Sequence, residues 1–181
     1  MKGNNKGFTL VELIVSVAIL GIVTLAASGF MIAGSRTYSS LSYTLRLQYE
    51  SQLIMEQLQE YLVDCSAGAA WDSTEKKLYV ANNAASGKTV YVFALDPTGQ
   101  TIHFQSGTAA ADLSGLPAAE LMAEHVTGMN VAFSDSKREV TVELTMARNG
   151  KTYQAQQVIA LRNQPPHGAS WSELWEAIKT P

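Results

Sequence analysis

Glu12 is the residue whose position asks for chemistry. It stands in GFTLVELIVSVAILG, and the residues after it, Leu13 to Ala33, carry no charge. A carboxylate in hydrocarbon costs about 2.5–3.5 kcal/mol on insertion scales. A charge kept there needs an opposite charge beside it. The alternatives are a carboxyl group that enters the membrane protonated and one that reaches up to its cytoplasmic edge. Two lysines, Lys2 and Lys6, precede the pair Gly7-Phe8 and complete the N-terminus.

The remaining reactive residues form no constellation. His103, His125 and His167 are scattered singly, and Asp64, Asp72 and Asp96 lack calcium-loop spacing. No Gly-x-Ser-x-Gly, His-Glu-x-x-His, Gly-x-Gly-x-x-Gly or phosphate loop occurs. No enzymatic activity, metal or cofactor is expected. The net charge of −3 gives no reason to expect nucleic acid. One cysteine, Cys65, excludes an internal disulfide. It reads as a small core residue, with intermolecular pairing or lipidation as the other uses.

Three readings fit the N-terminus. A secretory signal peptide would use Lys2 and Lys6 as its basic region and Ala26-Ala27-Ser28 as its cleavage site. The apolar run is too long for that and contains Glu12. A plain membrane anchor explains the length, since 21 uncharged residues make roughly 30 Å of helix. It gives no reason for Glu12. The third reading explains both: KGFTLVELIVSVAILGI resembles the prepilin-type cleavage and methylation motif of type IV pilins and type II secretion pseudopilins.

The resemblance implies that a membrane prepilin peptidase cuts after Gly7 and that the new N-terminal residue, Phe8, is N-methylated. It makes Glu12 the fifth residue of the mature chain, the typical glutamate of the family. There it is thought to neutralise the N-terminal amine of a neighbouring subunit and so set the register of docking. Free α-amines have a reference pKa near 8 and are mostly charged at neutral pH. The implied partners are the prepilin peptidase, other pilins through the N-terminal helix, and the membrane. The implied topology is a single pass with the N-terminus cytoplasmic and the head outside.

These residues need an element to carry them. The sequence predicts helix from Phe8 to about Asp64, apolar first and amphipathic second. No proline or glycine lies between Arg36 and Val63, and Tyr43, Leu47, Ile54, Leu58, Tyr61 and Cys65 mark one face. Gly21, Gly29 and Gly34 either permit close helix packing and local unwinding or are ordinary transmembrane glycines. The expected division is a leader (1–7), a transmembrane or filament-core helix (8–34), an amphipathic stem (35–65), a β-sheet head (66–164), and a linker with a short C-terminal helix (165–181).

Gly68 is a candidate helix cap. Strands are expected at Lys77–Ala81, Thr89–Leu95, Gln100–Gln105 and His125–Ser134, with Asp96-Pro-Thr-Gly99 as a type I turn. Residues 108–124 read as loop with a short helical turn. Asn149-Gly150 signals a two-residue type I′ hairpin. It sets Met146 opposite Tyr153, Leu144 opposite Ala155, Val142 opposite Gln157 and Val140 opposite Ile159. Such a sheet has one buried face, and the amphipathic stem is its cover.

The fold class is therefore α+β. The element order is similar to the PilW-like (J-type) minor pilins and pseudopilins. Ser170-x-x-Glu173 has capping-box spacing, and Trp171, Leu174, Trp175 and Ile178 line one face of the helix it starts. Trp171 and Trp175 either dock on their own head or anchor a partner subunit. Two functions are open: a structural subunit of a pilus-like, secretion or competence filament, and a membrane-tethered binding module that never polymerises.

Overall fold

The computed structural model describes residues 7–85, 87–113 and 115–179. Most of the expected leader, with Lys2 and Lys6, lies outside the described residues. Two compact units divide at Ser42/Tyr43.

The first unit is helix. The element α1 spans Leu10–Val63, 54 residues, and starts in this unit. Thr9 caps it: the Glu12 amide donates to Thr9 Oγ1 at 3.3 Å and the Leu13 amide to Thr9 O at 3.2 Å. Gly7 and Phe8 precede the helix. The polar residues of the apolar run are satisfied within the helix. Ser16, Thr24 and Ser28 hydroxyls donate to the carbonyls of Glu12, Leu20 and Thr24 at 2.7–2.8 Å. An apolar helix can hold such residues in a medium without water for this reason.

The second unit holds the rest of α1, nine strands and a short helix. The strands are β1 (Gly68–Asp72), β2 (Lys77–Ala84), β3 (Gly87–Asp96), β4 (Thr101–Thr108), β5 (Glu120–Glu124), β6 (Val126–Phe133), β7 (Glu139–Arg148), β8 (Lys151–Ala160) and β9 (His167–Gly168). Helix α2 is Trp171–Ile178. One sheet has the order β5-β4-β3-β2-β1-β9 and the other β6-β7-β8. The long helix, antiparallel strands and short C-terminal helix make an α+β, pilin-like architecture.

The β7–β8 hairpin has the expected register, Met146 to Tyr153 through Val140 to Ile159. Asn149 and Gly150 take φ of 49° and 72°, the left-handed pair a type I′ turn requires. Leu47, Ile54, Met55, Leu58 and Leu62 of α1 bury against inward residues of both sheets, among them Leu78, Phe93, Ile102, Val142 and Leu144. Met55 and Leu62 join the expected face, Tyr61 packs half-buried against the core beside Phe93, and Tyr43 is half-buried outside it. A helix that touches two sheets buries a wider stripe than a single face supplies.

Other expectations are corrected. There are two sheets, and α1 is not the only cover. Alternate residues of β2 and β3 point the other way, so Tyr79, Ala81, Val90 and Val92 pack with Trp171, Leu174 and Ile178 of α2. Gly68 caps no helix; it opens β1. A Cβ there would meet Leu174 Cδ1 at 2.5 Å and Ile178 Cγ2 at 3.1 Å, so glycine lets α2 close on the sheet. The alanine-rich stretch contains β5 and no helical turn among its described residues. His125, with φ of 65°, separates β5 from β6 and does not begin a strand. Residues 165–168 are no free linker: Pro165 is buried, and His167-Gly168 adds to β1 as a parallel strand.

Candidate functional site

Gly7, Phe8 and Glu12 fall within five residues of one another just before and inside the first turn of α1. All three are exposed, Phe8 at 79%. The exposed Gly7-Phe8 bond lies outside the helix, in backbone a peptidase can take up. Glu12 is the acidic residue of the first turn. Carboxylates there sit favourably at the positive end of the helix dipole. The Thr9-x-x-Glu12 spacing is the sequence signal for this cap, and it is legible in the chain. No ion pair to the Glu12 carboxylate occurs among the described residues.

The surface around these residues is apolar. Leu10, Val11, Ile14, Leu20, Ile22, Leu25, Phe30 and Met31 are all exposed. This is the one described helix long and apolar enough to cross a membrane, and none of its apolar window is buried. Folding the chain gives these side chains no partner, so their burial must come from a bilayer or from other helices.

The tryptophans are placed elsewhere. Ser170 caps α2 by accepting from the Glu173 amide at 3.3 Å, and the Glu173 carboxylate accepts from the Ala169 amide at 2.8 Å. That reciprocal cap aims Trp171 inward. Its ring is 7% exposed, lies 5.6 Å from Tyr79, and its Nε1 donates to Ala110 O and Ala111 O at 3.0 and 3.2 Å. Trp175 packs half-buried beside it at 5.9 Å. In this arrangement Trp171 packs on its own head.

The buried titratable groups have structural settings. Cys65 is fully buried, and its thiol lies 3.2 Å from Gly68 O. Burial pushes that thiol up to about 11, so it carries almost no thiolate at neutral pH. Tyr79 is pushed up to about 12, first by burial and then by the Asp72 and Glu75 carboxylates. His167 stacks on Phe133 at 4.4 Å, and both its ring nitrogens are buried without a hydrogen-bond partner. Desolvation, followed by the nearby Lys137 ammonium, lowers its pKa. Neither His103 nor His125 joins it, and no group of three or more His, Cys, Asp or Glu able to hold a metal occurs among the described residues.

Comparison with known proteins gives one match. The family model "Prokaryotic N-terminal methylation motif" matches residues 2–28, which contain Gly7, Phe8 and Glu12. No curated protein and no solved structure matches the chain. The motif marks a prepilin-peptidase substrate of pilin-like type, and with the apolar helix it is consistent with membrane anchoring. The match covers Gly7, Phe8 and Glu12 and supports a likeness to the type IV pilins and pseudopilins over that stretch.

Proposed function

We propose that this protein is a minor pilin or pseudopilin, a subunit cut at Gly7–Phe8, N-methylated on Phe8 and assembled through its N-terminal helix into a pilus-like, type II secretion or competence filament. The observation that carries the reading is the exposed apolar stretch of α1, residues 10–34, which bears a single carboxylate, Glu12, inside the matched motif. A tether would need the apolar length alone. Glu12 needs a cation, and the α-amine of a neighbour's Phe8 is one that cleavage itself creates. In this reading the first unit is the transmembrane and filament-core segment, the N-terminus is cytoplasmic before cleavage, and the head lies outside the membrane. The partners are the peptidase and other pilins, with no nucleic acid bound by this subunit. The PilW-like element order supports a minor rather than a major subunit.

The test is Glu12→Ala in the producing cell. Membrane insertion is unchanged or improved, since a costly charge is gone. Cleavage at Gly7 persists. The fraction of the protein in sheared filaments falls. Wild-type incorporation of Glu12→Ala would show the carboxylate to be incidental and favour the membrane-tethered binding module.

A further inference from the structure

The two sheets end in four strand edges, and three are blunted against further pairing. β5 has five residues, carries Glu120 and Glu124, and slips register against β4 between Ile102 and His103. β9 has two residues behind Pro165 and Pro166. β6 slips register between Val126 and Gly128, and its first amide is already held by Gln100 O at 3.0 Å. β8 is different. Its ten residues pair with β7 in unbroken register, contain no proline, and carry one charge, Lys151, at the turn. Long regular edges of this kind accept another strand.

Beside the free edge lies a groove of about 600 Å³ between Tyr153–Gln157 and the Ser51–Gln59 stretch of α1. Five residues of strand make it about 17 Å long. Gln52, Gln59, Gln154, Gln156 and Gln157 line it. The Gln52 and Gln154 amides offer donors and acceptors together, the complement of a peptide backbone, while Gln157 already donates to Gln59 and Gln156 to Glu143. Glu56 is the one ionisable carboxylate of the lining and makes no ion pair among the described residues. We propose that this groove takes an extended segment of a partner protein, added to β8 as a further strand and carrying a lysine or arginine opposite Glu56.

A two-fold pairing with β8 of a second copy does not fit. Gln157 meets Gln59 at 2.6 Å and the Arg162 amide meets Val63 O at 3.0 Å, so β8 and the Tyr43–Val63 part of α1 advance in the same sense. A two-fold β8-to-β8 pair would run the two helices in opposite senses, whereas subunits entering from one membrane share one sense. Only this exclusion rests on the assembly reading.

The test places a benzophenone amino acid singly at 153, 155 and 157 of the full chain in the producing cell, with Asp135 as an exposed control. Cross-linked peptides are then mapped. The proposal expects sites that step by two along one segment of one partner, with a basic residue in it. Glu56→Lys lowers their yield roughly fivefold with the thermal melt unchanged. Cross-links within the chain to α1 are set aside, since Gln157 already meets Gln59; cross-links to β8 of a second copy, to a helix of another chain, to scattered sites or to nothing above the Asp135 control overturn it. The processed mass of the same chain is read separately, so failure of the prepilin reading shows as an uncut N-terminus and leaves the edge result interpretable.

Discussion

Residues 7–42 and residues 43–179 solve the burial of apolar side chains in opposite ways. Leu20 is 68% exposed and Phe30 81%, while Leu58 and Phe93 have no exposed surface at all. The second unit has two hydrophobic clusters of its own, one on each side of the six-stranded sheet. The first unit has none. Its helix has a cap and hydroxyl back-bonds in place, and its apolar side chains are exposed.

The sharpest way to break this contrast is to cut the chain. A fragment of residues 36–181 keeps the amphipathic part of α1 and should be soluble and melt cooperatively. A fragment starting at Trp71 should be unfolded or aggregate. It loses Leu47, Ile54, Leu58 and Leu62, each worth about 1.5–3 kcal/mol on burial, against a domain stability of about 5–15 kcal/mol. Circular dichroism melts of both decide it. An equally high and sharp melt of the shorter fragment would mean that α1 is no part of the head's core.

Single substitutions sharpen the same comparison. Leu58→Ala should lower the stability of the 36–181 fragment by about 2–5 kcal/mol in denaturant titration. Leu20→Ala, in the full chain held in detergent, should leave the melt of the head where it was, because Leu20 touches none of its core. Gly68→Val should cost about 1–3 kcal/mol by forcing Leu174 and Ile178 of α2 off the sheet. A neutral Gly68→Val would show that α2 docks loosely.

The smallest effect is on pH. The pKa of His167 is lowered in the folded head from 6.5. The unfolded chain therefore takes up the proton first as pH falls, and stability must drop below pH 6.5 until the folded-state value is passed. Above 6.5 the residue contributes no pH dependence. His167→Phe should flatten the loss between pH 6.5 and the carboxylate range, measured as melting temperature against pH. An unchanged slope would place the acid sensitivity elsewhere.

The N-terminal motif was legible because its signal is local. Gly7, Phe8 and Glu12 lie within six positions, and a carboxylate ahead of an uncharged run is an anomaly that any hydropathy argument meets. The β7–β8 register was legible for the same reason, since Asn149-Gly150 sets it over a span of two residues. What was missed depends on distant contacts. β1 is Gly-Ala-Ala-Trp-Asp, with no β-branched residue, and becomes a strand because β2 pairs with it and α2 packs on it. The strand at His167-Gly168 and the free edge of β8 are properties of topology. No spacing in the chain announces them.

The account stands most directly on where the mature chain begins. Intact-mass and N-terminal peptide analysis of protein extracted from membranes of the producing cell measures it. The account predicts loss of residues 1–7 and a chain starting at N-methylated Phe8. A chain that keeps Met1–Gly7, or one that starts after Ala27 or Ser28 as a secreted protein, would contradict it.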